Sequence, residues 1–117
     1  MSAIIPDGTP FELGGRTWQL VWTLAVIDRV QEHYNAGMGE VILRLADERT
    51  LPSTVAYLVS ELINDDIARR GLDEPKVSEN DVKWMIDSKT LGLATAVLLK
   101  SYGIDMPEDD EEPPKNP

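Results

Sequence analysis

The only imidazole in the chain is His33, with Asp28, Arg29 and Glu32 close to it in sequence. A histidine beside carboxylates can relay protons, but hydrolytic chemistry also needs a serine nucleophile motif, and metal chemistry a second nitrogen ligand. Neither pattern is present, so His33 reads as a solvated or partly packed side chain. The acidic pairs Asp65-Asp66 and Asp73-Glu74 could attract a divalent cation. They lack the alternating oxygen donors, central glycine and closing glutamate of a calcium loop. Gly14-Gly15 is no phosphate cradle, because the further glycines or the Gly-Lys-Ser/Thr context are missing and no helix follows directly. There is no cysteine, which excludes thiol catalysis, disulfides and cysteine-ligated zinc or iron–sulfur sites. The expectation is a protein that is not an enzyme, with no catalytic residue, no cofactor and no metal.

What remains is binding. Trp84 falls on the less apolar side of a short helix whose core set is Val82, Met85 and Ile86. It is either an exposed anchor for a partner or a side chain packed on the rest of the domain. Tyr57 and Met38 carry the same two readings, and these three are the candidate partner-binding residues. Nucleic acid is not expected as a partner. The chain has 21 acidic against 11 basic residues, a net charge of −10, which repels phosphate. Lys83, Lys89 and Lys100 are interrupted by Asp81 and Asp87, so no basic stripe forms along a possible helix-turn-helix.

The positioning elements follow from periodicity. The chain's 117 residues suit one domain, taken as residues 1–104, followed by a tail over residues 105–117. That tail holds six acids, one base and four prolines, and its composition predicts disorder. Around Gly14-Gly15, Phe11 and Leu13 on one side and Trp18, Leu20 and Trp22 on the other alternate with period two. A two-residue hairpin would pair Leu13 with Arg16 and Phe11 with Trp18, all five apolar residues sharing one face. Such a hairpin is marginal alone and must lie on helices.

Thr23 caps a first helix with Leu24, Ile27 and Val30 inward and Gly37 as its stop. Gly37 and Gly39 break the chain around Met38. A short second helix then carries Val41, Ile42 and Leu45. Thr50 or Ser53 caps a third, with Pro52 in its first turn and a stripe of Val55, Leu58, Val59, Leu62, Ile63 and Ile67, closed by Arg69-Arg70-Gly71. Residues 72–77 read as a loop. Ser78 and Asp81 cap a fourth helix, and a fifth runs from about Thr90 to Tyr102 with Leu91, Ala94, Val97, Leu98 and Tyr102 inward. The fold class is mainly α: an N-terminal β-hairpin packed on a compact bundle of four or five helices. No apolar run approaches the ~20 residues of a membrane span, and no signal peptide is recognisable, so a soluble, non-secreted protein is expected, with no membrane partner.

The segment Phe11-Glu-Leu-Gly-Gly-Arg-Thr-Trp-Gln-Leu-Val-Trp, the helix Leu24-Ala-Val-Ile-Asp-Arg-Val-Gln-Glu-His-Tyr, and the close from Val77-Ser-Glu-Asn-Asp-Val-Lys-Trp-Met to Tyr102-Gly103 resemble the phage tail assembly chaperones in order and character. The resemblance spans roughly residues 9–104 and carries no binding residue by position. It implies a virus-encoded, non-enzymatic protein that binds the tail tape-measure protein in the host bacterial cytoplasm, keeps it soluble, and is absent from the mature virion. It also implies a frameshift-extended form of the same chain, for which Lys115-Asn116 could mark a slippery stretch. Two alternatives stand beside it. One is an acidic DNA mimic presenting Asp65, Asp66, Asp73, Glu74 and the tail; the other is a structural tail or head-completion subunit.

Overall fold

The computed structural model describes residues 8–47 and 49–104; the tail expected over residues 105–117 lies outside them. Strands β1 (Thr9–Leu13) and β2 (Arg16–Leu20) form an antiparallel pair in the expected register, Leu13 opposite Arg16 and Phe11 opposite Trp18. Gly14 and Gly15 have φ of 65° and 77°. Two consecutive positive φ values are what a two-residue hairpin with native twist requires, and glycine reaches them without a Cβ clash. Phe11, Leu13, Trp18 and Leu20 are buried on one face, and the Trp18 indole N–H donates to the Leu13 carbonyl at 3.1 Å. Trp22 lies just past β2. Its indole N–H donates to Ser101 Oγ at 2.8 Å, and its ring meets Tyr102 edge-on.

Helix α1 (Leu24–Tyr34) begins at Thr23, whose Oγ1 accepts the Val26 N–H at 3.2 Å. Its inward pair is Val26 and Val30, spaced by four, with Ile27 beside them; Leu24 faces solvent, against expectation. The helix stops earlier than expected, at Asn35 in a left-handed conformation with φ of 51°. Asparagine tolerates that conformation. Gly37 is thereby freed to precede α2 (Met38–Ala46), so Met38 and Gly39 belong to a helix rather than a break. Thr50 does not cap the third helix either. Its hydroxyl turns back to the carbonyls of Arg44 and Leu45, at 2.7 and 2.8 Å, and seals the end of α2.

Helix α3 (Pro52–Arg70) starts from Leu51 with Pro52 at its first position and ends on Gly71, φ 62°. Every residue of the expected stripe is buried. So is the whole run 54–60, because α1, α4, α5 and β2 all pack against this helix. The loop that follows is pinned by Asn64, whose amide accepts the Val77 N–H at 2.7 Å and donates to its carbonyl at 2.8 Å. Helix α4 (Glu79–Met85) opens with the Ser78–Asp81 reciprocal cap foreseen from sequence. A second such cap, Asp87 with Thr90, starts α5 (Ser88–Ser101), so Thr90 lies inside the first turn rather than before it. Leu99 joins Ala94 and Leu98 as a core residue the periodicity missed. One buried cluster runs through the hairpin and all five helices, and no described helix is long and apolar enough to cross a membrane.

Beside the apolar face, an ionic joint ties the hairpin to the bundle. Asp66 on α3 has 0% exposure, yet its carboxylate accepts the Gln19 N–H at 3.0 Å, two Arg70 N–H groups at 2.6 Å each and one from Arg69 at 3.1 Å. Arg69 completes the contact by donating to the Gln19 carbonyl at 2.9 Å, and also pairs with Asp65. Both backbone groups of Gln19 therefore point away from β1, where the paired residue is Pro10. Proline has no N–H to offer a ladder, so its place opposite Gln19 leaves no donor unmatched.

Burial alone would raise the Asp66 carboxyl's pKa, but the Arg70 side chain, the Gln19 N–H and the two guanidinium charges together hold it below the ordinary carboxylate range. A folded value below the unfolded one means the stabilisation is present above the unfolded pKa of about 3.9 and is lost as pH falls through the folded value. Replacing Asp66 with Ala takes the acceptor from the Gln19 N–H and from two part-exposed guanidinium groups and should cost about 1–3 kcal/mol, read from urea unfolding at pH 7. Asp66→Asn should also be destabilised at pH 7, and the gap between it and the natural chain should narrow as pH drops below about 4. A gap independent of pH would show that the charge of Asp66 contributes nothing.

Candidate functional site

The residues nominated for chemistry are occupied with structure. The exposed His33 ring stacks on Tyr57 with centroids 3.7 Å apart and an interplanar angle of 14°, and meets Tyr34 edge-on. Asp65 is bonded to Arg69 and to the Thr23 hydroxyl, the latter at 3.1 Å. Asp66 is buried in the joint with β2, and Glu74 pairs with Arg16. Asp66 therefore cannot stand in for a phosphate on a DNA-like surface, and Asp65 is largely covered by Arg69 and the hairpin's exit. Among the described residues no group of three or more histidines or acids gathers as a metal site.

The three partner-binding nominees separate. Met38 is buried because α2 begins with it, and Tyr57 because α3 is enclosed by its neighbours; neither offers an exposed anchor. The Tyr57 hydroxyl donates to the Arg29 carbonyl at 3.3 Å, and burial, reinforced by the nearby Glu61 charge, pushes its phenol well above the ordinary range. Trp84 is 85% exposed. Helix α4 turns Val82 into the core, and a residue two positions on projects from the opposite side. Beside it Met85 covers the hairpin turn; a Cβ on Gly14 would lie 3.0 Å from the Met85 sulfur. A depression of about 440 Å³ between Trp84, Met85, Leu13, Trp18 and Val77 flanks this side chain, and a second opens toward the 60%-exposed Leu93.

A second feature escaped the periodicity altogether. Where α4 passes into α5 through Ile86 and Asp87, the chain leaves a depression of about 390 Å³ over Val55, Ala56, Val82 and Leu91. A neighbouring one of about 320 Å³ continues between the end of α2 and α5, and Val55, Ser88 and Leu91 line both. The two adjoin along those three side chains as an interrupted trough. Its charged rim among the described residues is Lys83, Asp87 and Asp47. Lys83 is bridged to Glu79 at 3.2 Å, and Asp87 caps α5, its carboxyl held below the usual range by the Thr90 N–H and hydroxyl. Nothing along the trough is poised as nucleophile or base. The one local sign of it in the sequence is Gly92, in the second turn of α5, where a glycine costs a helix about 1 kcal/mol relative to alanine. A Cβ there would meet nothing within 4 Å.

Exposure of Trp84 has a direct optical consequence. Trp84→Phe should remove most of the red-shifted, iodide-quenchable tryptophan emission and leave the unfolding midpoint almost unchanged, since a surface substitution of this kind typically stays within about 0.5 kcal/mol. Retained quenching would place the accessible indole at Trp22 instead.

The chain matches no protein-family model, no curated protein and no solved structure.

Proposed function

We propose that this chain is a non-enzymatic holder of an apolar helical client, of the phage tail assembly chaperone type, whose client is the tail tape-measure protein. The observation that carries the reading is exposed apolar side chains, Trp84 with Met85 and Leu93, on a chain of net charge −10. Apolar side chains left open in this way mark interaction sites. The acidic surface supplies the complement. It keeps a complex with an aggregation-prone partner dispersed by mutual repulsion. The proposal includes action in the host bacterial cytoplasm and absence from the mature virion. The DNA-mimic alternative is less well supported, because Asp65 and Asp66 are spent on the joint with β2.

Co-expression tests the reading. The tape-measure protein encoded beside this chain should shift from the insoluble to the soluble fraction when the two are made together, and a complex should survive size-exclusion chromatography. Equal insolubility with and without the chain, and no complex, would overturn it.

A further inference from the structure

The chain holds four methionines, of which Met38 and Met85 fall among the described residues, and the fold treats these two differently. Met38, 6% exposed, is enclosed in the core, whereas Met85 ends α4 at the surface and is 39% exposed. The Met85 sulfur has a structural contact there. It lies so close to the hairpin turn that a Cβ on Gly14 would stand 3.0 Å from it. Met85, Leu13 and Gly14 together line both the depression beside Trp84 and the one beside Leu93. A thioether suits the place because it is apolar and flexible enough to follow the turn.

The ionic joint at Gln19 lies toward the opposite end of β2. Near the turn, the links to the helical body are apolar contact and the Arg16–Glu74 pair, whose side chains are both part-exposed. A pair of that kind contributes little to stability. The turn therefore leans on the apolar character of Met85. Oxidation would end that character. A sulfur lone pair attacks one oxygen of hydrogen peroxide, the O–O bond breaks as the S–O bond forms, and after proton transfer water leaves. The sulfur is oxidised by two electrons and the peroxide reduced by two, and the product is a polar, chiral sulfoxide. The solvent side of Met85 admits the oxidant while the chain stays folded. The turn side then loses its apolar neighbour.

We propose that Met85 is a selective oxidation site whose sulfoxide loosens the hairpin turn from α4, a catch that holds while the thioether is reduced. The inference stands apart from the identity of any client.

Peroxide treatment of the full chain followed by tryptic mapping tests it, because cleavage after lysine and arginine puts each of the four methionines in a peptide of its own. In the folded chain the peptide of residues 84–89 should gain one oxygen at least fivefold faster than that of residues 30–44, which carries Met38, and in urea the two should react alike. Fragment spectra should place that oxygen on Met85. Amide exchange over residues 13–16 should then quicken at least threefold and the urea midpoint should fall, and methionine sulfoxide reductase should restore both. Met85→Leu keeps the apolar volume without the sulfur, so its midpoint should stay close to that of the natural chain and be unmoved by peroxide. Met85→Gln is polar from the start and should show the faster exchange with no peroxide added. Equal oxidation of Met38 and Met85 in the folded chain, an oxygen on Trp84 instead, or an oxidised Met85 with unchanged exchange at the turn would overturn the proposal. So would an equal fall in the midpoint of peroxide-treated Met85→Leu.

Discussion

A two-stranded hairpin has too little surface to hold itself together in water, and its attachment to the helices organises the rest of this structure. The apolar face of Phe11, Leu13, Trp18 and Leu20 supplies most of the driving force, but apolar contact is non-directional and does not choose a register. Asp66 and Arg69 do. Their side chains meet the N–H and carbonyl of a single residue, Gln19, much as a third strand would. The outer edge of β2 is thereby closed at that residue by side chains from a helix. A buried carboxylate is costly unless every lone pair finds a donor, and here four N–H groups converge on Asp66. The arrangement fixes where β2 crosses α3. The positions of Trp22 and of the start of α1 follow, and Thr23 adds its own bond to the adjacent Asp65.

With α3 committed to this joint and enclosed on the remaining sides, the other helices differ in how firmly they are held. Helices α4 and α5 each begin with a reciprocal side-chain cap and are separated by only Ile86 and Asp87. Two independently capped helices joined so tightly do not merge into one rod, and the angle between them opens the trough over Val55. The depression there is therefore a product of helix starts. The caps stop α4 and restart α5 at a place where a continuous helix would have carried its side chains past the gap.

Much of the fold was legible locally. Gly14-Gly15, Pro52, Gly71 and Ser78 each act through the backbone of their own neighbourhood, and each is where its chemistry predicts. Errors arose where two local signals competed. Both spacings, three and four, place residues on one face of a helix, so Leu24 and Val26 were equally good candidates for the inward position of α1. Asn35 and Gly37 can both end a helix, and Asn35 comes first. The candidate site was less legible, because exposure depends on what else arrives. Tyr57 is covered by packing around α3 and Met38 by the placement of α2, neither of which is encoded near those residues. Three of the four N–H groups on Asp66 are local and one is remote. Arg69 and Arg70 follow at helical spacing, but Gln19 is 47 residues away, and without it Asp65-Asp66 looks like solvated charge.

The last turn of α5 returns to the start of the chain. Gly8, Thr9, Trp22, Ser101 and Tyr102 border one shallow depression, so residue 8 and the end of α5 leave the body from the same region. The depression over Val55, Val82 and Ile86 lies by the other end of α5, about 20 Å away for a helix of 14 residues, whereas its neighbour reaches Leu99, within one turn of Ser101. Any polypeptide attached before Gly8 or after Ile104 is thus anchored nearer the depression between α2 and α5 than the one beside α4. A flexible attachment there holds its cargo close to the body at an effective concentration set by its length.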